Sequence, residues 1–211
     1  MRWQLGRCDD RRVSRDLRIC FLGDSFVAGI GDPRCLGWAG RLATATHAAG
    51  QPLTAYNLGV RGQTSTEILG RWQAECTPRL PAGADARIVV SFGVNDTTLV
   101  DGRPRVVPGE SAANLTKLLA QAAERDLPVL MIGPPPIDDD EQNMRTATLD
   151  EQFANICAAV NVPYVGIHQP LRHNAIWRRE VRDGDGAHPS AAGYEALAAL
   201  IMPRWWEWLS R

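Results

Sequence analysis

Apolar runs of strand length alternate with amphipathic stretches from residue 17 to the end of the chain. Residues 17–22, 53–58, 87–92, 129–133 and 162–167 read as strands. The third holds Ile88-Val89-Val90, an unbroken apolar run expected of a strand covered on both faces. Residues 38–49 read as a helix stopped by Gly50. Thr64-Ser65-Thr66-Glu67 fits a capping box that opens a helix running towards Pro78. Residues 110–125 and 150–160 carry apolar positions at helical spacing. A last helix is expected from about Ser190 and meets Pro203, which should end or kink it.

Strands separated by helices need crossover connections, so the sheet should be parallel with helices on both faces. Right-handed crossovers then favour an α/β fold of three layers, α/β/α, with a five-stranded parallel sheet in the flavodoxin-like order 2-1-3-4-5. The longest connections fall at 134–143, which opens on three prolines and runs into a helix start at the acidic 138–141, and at 172–185. Residues 1–16 are charged and aperiodic, which reads as a flexible N-terminal tail before a single domain at 17–211. Ligands of such sheets gather beyond the carboxyl ends of the strands. Ser25, Gly59 and Asn95 directly follow the first three strands and so belong to one rim.

Composition narrows the function classes. A chain of 211 residues, 45% hydrophobic, suits one well-packed domain. A formal charge of −1 gives no electrostatic reason to bind nucleic acid. No apolar run approaches the ~20 residues of an integral membrane segment. Arg11-Arg12 is followed by charges where a twin-arginine export signal needs apolar residues, so a cytoplasmic protein is expected. Five cysteines, Cys8, Cys20, Cys35, Cys76 and Cys157, lack any C-x-x-C pair and suit reduced thiols better than a disulfide framework or zinc site. Cys20 reads as a small core residue and Cys35 as an incidental loop thiol.

The candidate chemistry sits at two ends of the chain. Phe21-Leu22-Gly23-Asp24-Ser25-Phe26 is an apolar strand that breaks and delivers a serine. A serine hydroxyl is a weak nucleophile at neutral pH and needs a base beside it. Asp183-Gly184-Asp185-Gly186-Ala187-His188-Pro189 places carboxylates just ahead of a histidine, completing a Ser…Asp…His order suited to acyl transfer. Gly-Asp-Ser alone is a common polar turn, and most histidines are structural; the combination is what carries weight. Both Asp183 and Asp185 are candidates to orient His188. Asn57-Leu58-Gly59 and Gly93-Val94-Asn95-Asp96 end two further strands, where a tetrahedral intermediate would want hydrogen-bond donors. Gly59 can offer an unobstructed N–H, Asn95 an amide NH₂, and Ser25 its own N–H. Asp96 reads as structural, bonding nearby backbone.

These motifs, in this order, resemble the SGNH hydrolases, also called the GDSL esterase/lipase family. Gly23-Asp24-Ser25 matches the first signature, with Phe26 where the family more often has leucine. The family's D-x-x-H pattern fits Asp185 rather than Asp183. The resemblance implies a catalytic set of Ser25, Asp185 and His188, an oxyanion hole of Ser25, Gly59 and Asn95, no cofactor and no metal. The partner it implies is a small-molecule ester of short to medium acyl length, and a homodimer is an open expectation. Acyl thioesters, lysophospholipids and O-acetylated sugars are alternative substrates within the family. Rivals from other classes are a non-catalytic binding module, disfavoured because no triad residue is lost, and a metal-dependent hydrolase, which lacks ligands spaced around His188. Trp38 and the loop 30–36 are candidates for the acyl pocket. Of Trp205, Trp206 and Trp208, some are expected to pack on the sheet and others to cover an interface, since adjacent Trp205 and Trp206 cannot share one helix face.

Overall fold

The computed structural model describes residues 15–211. The expected tail therefore lies outside the described residues, as does Cys8, except for Arg15 and Asp16; Arg15 pairs with Asp85 and donates to the Leu209 carbonyl at 2.9 Å. In chain order the first elements are β1 (Leu17–Gly23), α1 (Ser25–Ala28), α2 (Gly37–Ala48), β2 (Leu53–Gly59), α3 (Ser65–Cys76), β3 (Asp85–Ser91) and α4 (Val94–Thr97). A short hairpin, β4 (Leu99–Val100) and β5 (Arg103–Pro104), precedes α5 (Pro108–Ala123) and β6 (Val129–Ile132). The chain ends with α6 (Asp140–Ala159), β7 (Tyr164–Val165), α7 (His168–Arg172), α8 (Ala175–Asp183) and α9 (Ala191–Leu209).

The main sheet runs β2-β1-β3-β6-β7 with every neighbouring pair parallel, the expected order. Strand period two splits its side chains between two cores. Ile19, Phe21, Val89 and Leu130 face α2 and α9, where they meet Trp38, Leu42, Leu197 and Trp205. Cys20, Leu22, Ile88, Val90 and Met131 face α3, α5 and α6, against Trp72, Leu118 and Phe153. Burial on both faces is why β1, β3 and β6 read as continuous apolar runs, whereas β2 and β7, at the sheet edges, are partly exposed. The register sets Gly23 level with Gly59 on one side and with Ser91 on the other.

Helix α6 opens at Asp140, within the acidic run 138–141 read as a helix start, and its first turns bury hydrogen-bonded polar side chains rather than an apolar period. Gln142 Nε2 donates to the Val94 carbonyl at 2.9 Å, and Thr146 Oγ1 meets Thr97 Oγ1 at 2.8 Å. The stretch 172–185 is not loop but mainly α8, whose charged sequence buries only Trp177 and Val181, one turn apart, behind an Asn174 cap. Pro203 does not stop α9, since Trp205, Trp208 and Leu209 beyond it are buried in the core. Trp38 belongs to that core rather than to an acyl pocket, edge-on to Phe21 with ring centroids 5.8 Å apart. Trp205 donates to Thr46 Oγ1 at 2.8 Å, while Trp206 is half-buried.

A buried ion pair ties the segment after Ser25 to the segment after His188. The Asp32 carboxylate accepts from the backbone of Arg34 (3.0 Å) and Gly37 (2.9 Å) and pairs with Arg41. Arg41 also donates to the Ala191 carbonyl and to Glu195, each at 3.0 Å, at the start of α9. Between them Gly31 has φ +88°, and a Cβ there would lie 2.6 Å from the Pro189 carbonyl oxygen. Only glycine lets the two segments touch this closely.

Two outcomes follow from these buried groups. Removing one member of a buried pair strands its partner's charge, so Asp32→Ala should lower unfolding stability by about 3 kcal/mol in a denaturant titration. His168 is fully buried, among the described residues neither of its ring nitrogens has a partner, and burial, helped by Arg172, lowers its pKa to about 4. The unfolded chain then binds the extra proton between its ordinary pKa and about 4, so His168 costs stability as pH falls through that window. His168→Leu should remove roughly 5–10 °C of the Tm loss between pH 7 and pH 4, read by thermal melts.

Candidate active site

The turn from β1 into α1 is built by Asp24. Its carboxylate caps α1 by accepting the Phe26 N–H at 3.0 Å, and this buried cap fixes the serine that follows. Ser25 is the first residue of α1, so its own N–H has no partner within the helix. His188 arrives from the connection between α8 and α9, with Gly186 at φ +81° allowing the tight turn. His188 Nε2 lies 2.7 Å from Ser25 Oγ, and His188 Nδ1 lies 2.7 Å from Asp185 Oδ2. The other Asp185 oxygen accepts the N–H groups of Ala187 (3.0 Å) and His188 (2.8 Å). Burial works against the charged carboxylate, but the His188 backbone, the His188 ring and the Ala187 N–H outweigh it and hold Asp185 at about 2. Of the two candidate carboxylates it is Asp185 that meets the ring; Asp183 ends α8. Phe26 supports the imidazole from the side, ring centroids 4.8 Å apart.

Asn95 lies in the first turn of α4, level with Ser25 because β3 and β1 end together. Its Nδ2 donates to Asp24 Oδ2 at 3.2 Å and to the Gln63 carbonyl at 3.0 Å. Asp96 beside it accepts the Ser65 N–H at 2.7 Å, the structural role expected of it. Gly59 packs against the turn, where a Cβ would come within 2.2 Å of the Ala28 nitrogen. Its N–H, however, is donated to Asn57 Oδ1 at 3.0 Å, and Asn57 Nδ2 in turn holds the Val27 carbonyl at 2.7 Å. The expectation that Gly59 presents a free donor is therefore corrected: a side chain two residues earlier has taken it. Gly62 is the residue sequence reasoning passed over. It sits at φ +73° directly before Gln63, and among the described residues its N–H meets no acceptor. The signal was present in Asn57-Leu58-Gly59, since an Asn side chain readily captures the N–H two positions on.

Among the described residues, no group of three or more His, Cys, Asp or Glu side chains is placed to hold a metal ion. No helix of the described residues is long and apolar enough to cross a membrane. Several concavities lie away from Ser25 and His188. One of about 300 Å³, lined by Asp138, Asp140, Arg172, His173 and Trp177 among others, adjoins the catalytic-side turn, to which Asp138 N–H is bonded through the Gly186 carbonyl at 2.8 Å.

Comparison with known proteins bears on the chemistry of this rim. The model of the GDSL-like lipase/acylhydrolase family matches residues 21–196. No curated protein matches the sequence. Among solved structures, a lipase/acylhydrolase from Enterococcus faecalis superposes with TM-score 0.74 at 25% identity, covering 89% of this chain and 94% of its own. The acetylxylan esterase Axe2 from Geobacillus stearothermophilus shares the fold with TM-score 0.73 at 17% identity, over 92% and 95% of the two chains. The hydrolase LAE5, from the metagenome of Lake Arreo, does so with TM-score 0.71 at 19% identity, over 91% and 96%. With the family model spanning both the Ser25 turn and the His188 turn, this chain belongs to the GDSL-like lipase/acylhydrolase family and is a hydrolase.

Proposed function

We propose that the protein is a serine esterase that cleaves short- to medium-chain carboxylic esters through an acyl-enzyme. The observation that carries this reading is the continuous relay from Ser25 through His188 to Asp185, with both contacts at 2.7 Å. His188 Nε2 takes the Ser25 proton as Oγ adds to the ester carbonyl, and Asp185 stabilises the imidazolium that forms. Collapse of the tetrahedral intermediate expels the alcohol, protonated by His188. Water activated by the same imidazole then attacks the acyl-enzyme and releases the acid. The Ser25 N–H is one donor for the oxyanion, and the Asn95 amide, whose two hydrogens rest on Asp24 and Gln63, becomes a second by sharing one of them; Gly62, whose N–H meets no acceptor among the described residues, is a better third donor than Gly59. The chemistry calls for no metal or cofactor. Four free thiols among the described residues, Cys20, Cys35, Cys76 and Cys157, support placing the enzyme in the cytoplasm.

A second reading, a carbohydrate O-acetyl esterase, is favoured by the cavity beside the 185–188 turn. Its carboxylates, arginines and histidine suit a polyhydroxylated alcohol better than an alkyl one.

Ser25→Ala and His188→Ala should each lower kcat by about 10⁴-fold or more with the fold intact, and Asp185→Asn by less, in a p-nitrophenyl ester assay. A folded Ser25→Ala protein that kept its activity would sink the assignment. Because Asp185 stays ionised down to about 2, no acid limb above about pH 3 in the kcat profile should trace to its own titration. Across an acyl-length series, kcat/KM should peak between acetyl and roughly hexanoyl, as expected of a rim framed by a short loop after Ser25. A maximum at long chains would overturn the size preference but not the relay.

A further inference from the structure

We infer that Asp24 is a positioning residue that orients the Asn95 amide towards the oxyanion and fixes its place relative to Ser25. The inference rests on the reading of Asn95 as an oxyanion donor and adds to it the group that makes the donor usable. A carboxamide is nearly symmetric in shape, so packing alone scarcely distinguishes its nitrogen from its oxygen. Here the two groups facing Nδ2, Asp24 Oδ2 in its ionised form and the Gln63 carbonyl, are both acceptors. Rotating the amide by half a turn would set Oδ1 against two oxygens. The nitrogen is thereby held on the side where β1 and β3 end level with each other.

The same carboxylate belongs to the residue before the nucleophile. One oxygen takes the Phe26 N–H at 3.0 Å and the other takes Asn95 at 3.2 Å, so a single rigid group references the α1 turn and the Asn95 donor to each other. Asp24 is 2% exposed, and these two N–H groups stand in for the water it has lost. Burial pushes its pKa up to about 7, with Asp96 adding to the rise and Asn95 opposing it. A carboxylate so poorly solvated depends on its few donors, which ties it closely to Asn95. The contact to Asn95 is the longer of the two, leaving that hydrogen able to be shared with an oxyanion as charge develops.

Two substitutions separate this role from simple capping. Asp24→Asn leaves one acceptor facing two donors, so either the α1 cap or the Asn95 contact must fail. Asp24→Ser keeps a capping oxygen for the Phe26 N–H but is too short to reach Asn95. Each should lower kcat for p-nitrophenyl acetate by about 10- to 100-fold while KM changes by less than about 3-fold. In an Asn95→Ala background the same substitutions should cost less than about 2-fold, because the group they act through is gone. Far-UV circular dichroism and Tm identify which variant is folded, and Asp24→Ser carries the test if Asp24→Asn does not fold. Near wild-type kcat in a folded Asp24 variant would overturn the inference, and so would a full, multiplicative loss in the Asn95→Ala background. If Asn95→Ala itself left kcat unchanged, the oxyanion reading of Asn95 would fall instead.

Discussion

The in-register parallel ladder of β2, β1 and β3 is the constraint on which the rest of the molecule depends. It places Gly23, Gly59 and Ser91 side by side, so three chain segments leave the sheet at one height. Each then turns at once: β1 into the capped helix that carries Ser25, β2 into the loop that carries Gly62 and Gln63, β3 into the helix that carries Asn95. A slip of one residue in either ladder would exchange the two cores' side chains. It would also move a donor by about 3.3 Å, more than the tolerance of a hydrogen bond. Hydrophobic burial on both faces of the sheet enforces the register, and the register enforces the geometry of the rim.

Above the sheet, the rim is organised by buried carboxylates rather than by apolar packing. Asp24 caps α1 and holds Asn95; Asp96 holds the first turn of α3 through the Ser65 N–H; Asp32 gathers the loop before α2 and anchors Arg41. Each stands where a backbone must turn sharply and leaves N–H groups that need an acceptor. Desolvation is the common cost, visible in the raised values of Asp24 and Asp96. Asp32 escapes it because Arg41 and two N–H groups outweigh the burial. Asp185, half exposed, also stays strongly ionised, as the group proposed to stabilise an imidazolium would have to.

The difference between the two sides of the site reflects how each is supported. The Ser25 side is fixed by the sheet, whereas His188 hangs on a connection between two helices. Arg41 reaching the Ala191 carbonyl, the glycine contact of Gly31 with Pro189, and Tyr194 donating to the Ile30 carbonyl at 2.8 Å bind that connection to the segment after Ser25. The 2.7 Å contact between His188 and Ser25 is thus the sum of several backbone attachments made on the α2 and α9 side of the sheet.

The amino-acid order alone pointed to the strands, their order in the sheet, and Ser25 and His188 as candidates, while leaving Asp183 and Asp185 both open. An unbroken apolar run such as Ile88-Val89-Val90 suits a strand buried on both faces, and a serine placed just after the run that forms β1 is carried to the rim by geometry. Where burial was achieved by hydrogen-bonded polar side chains, as at Gln142 and Thr146, or by two isolated anchors, as at Trp177 and Val181, no period existed to be read: the start of α6 was legible only from its acidic first turn, and α8 was missed. The tertiary structure alone decided which donors are free. Whether the N–H of Gly59 or of Gly62 is available depends on where the Asn57 side chain turns, and the orientation of Asn95 depends on Asp24, 71 positions away in the chain. Hydrogen-bond competition of this kind is settled by atoms brought together through folding, and no local pattern of residues records it.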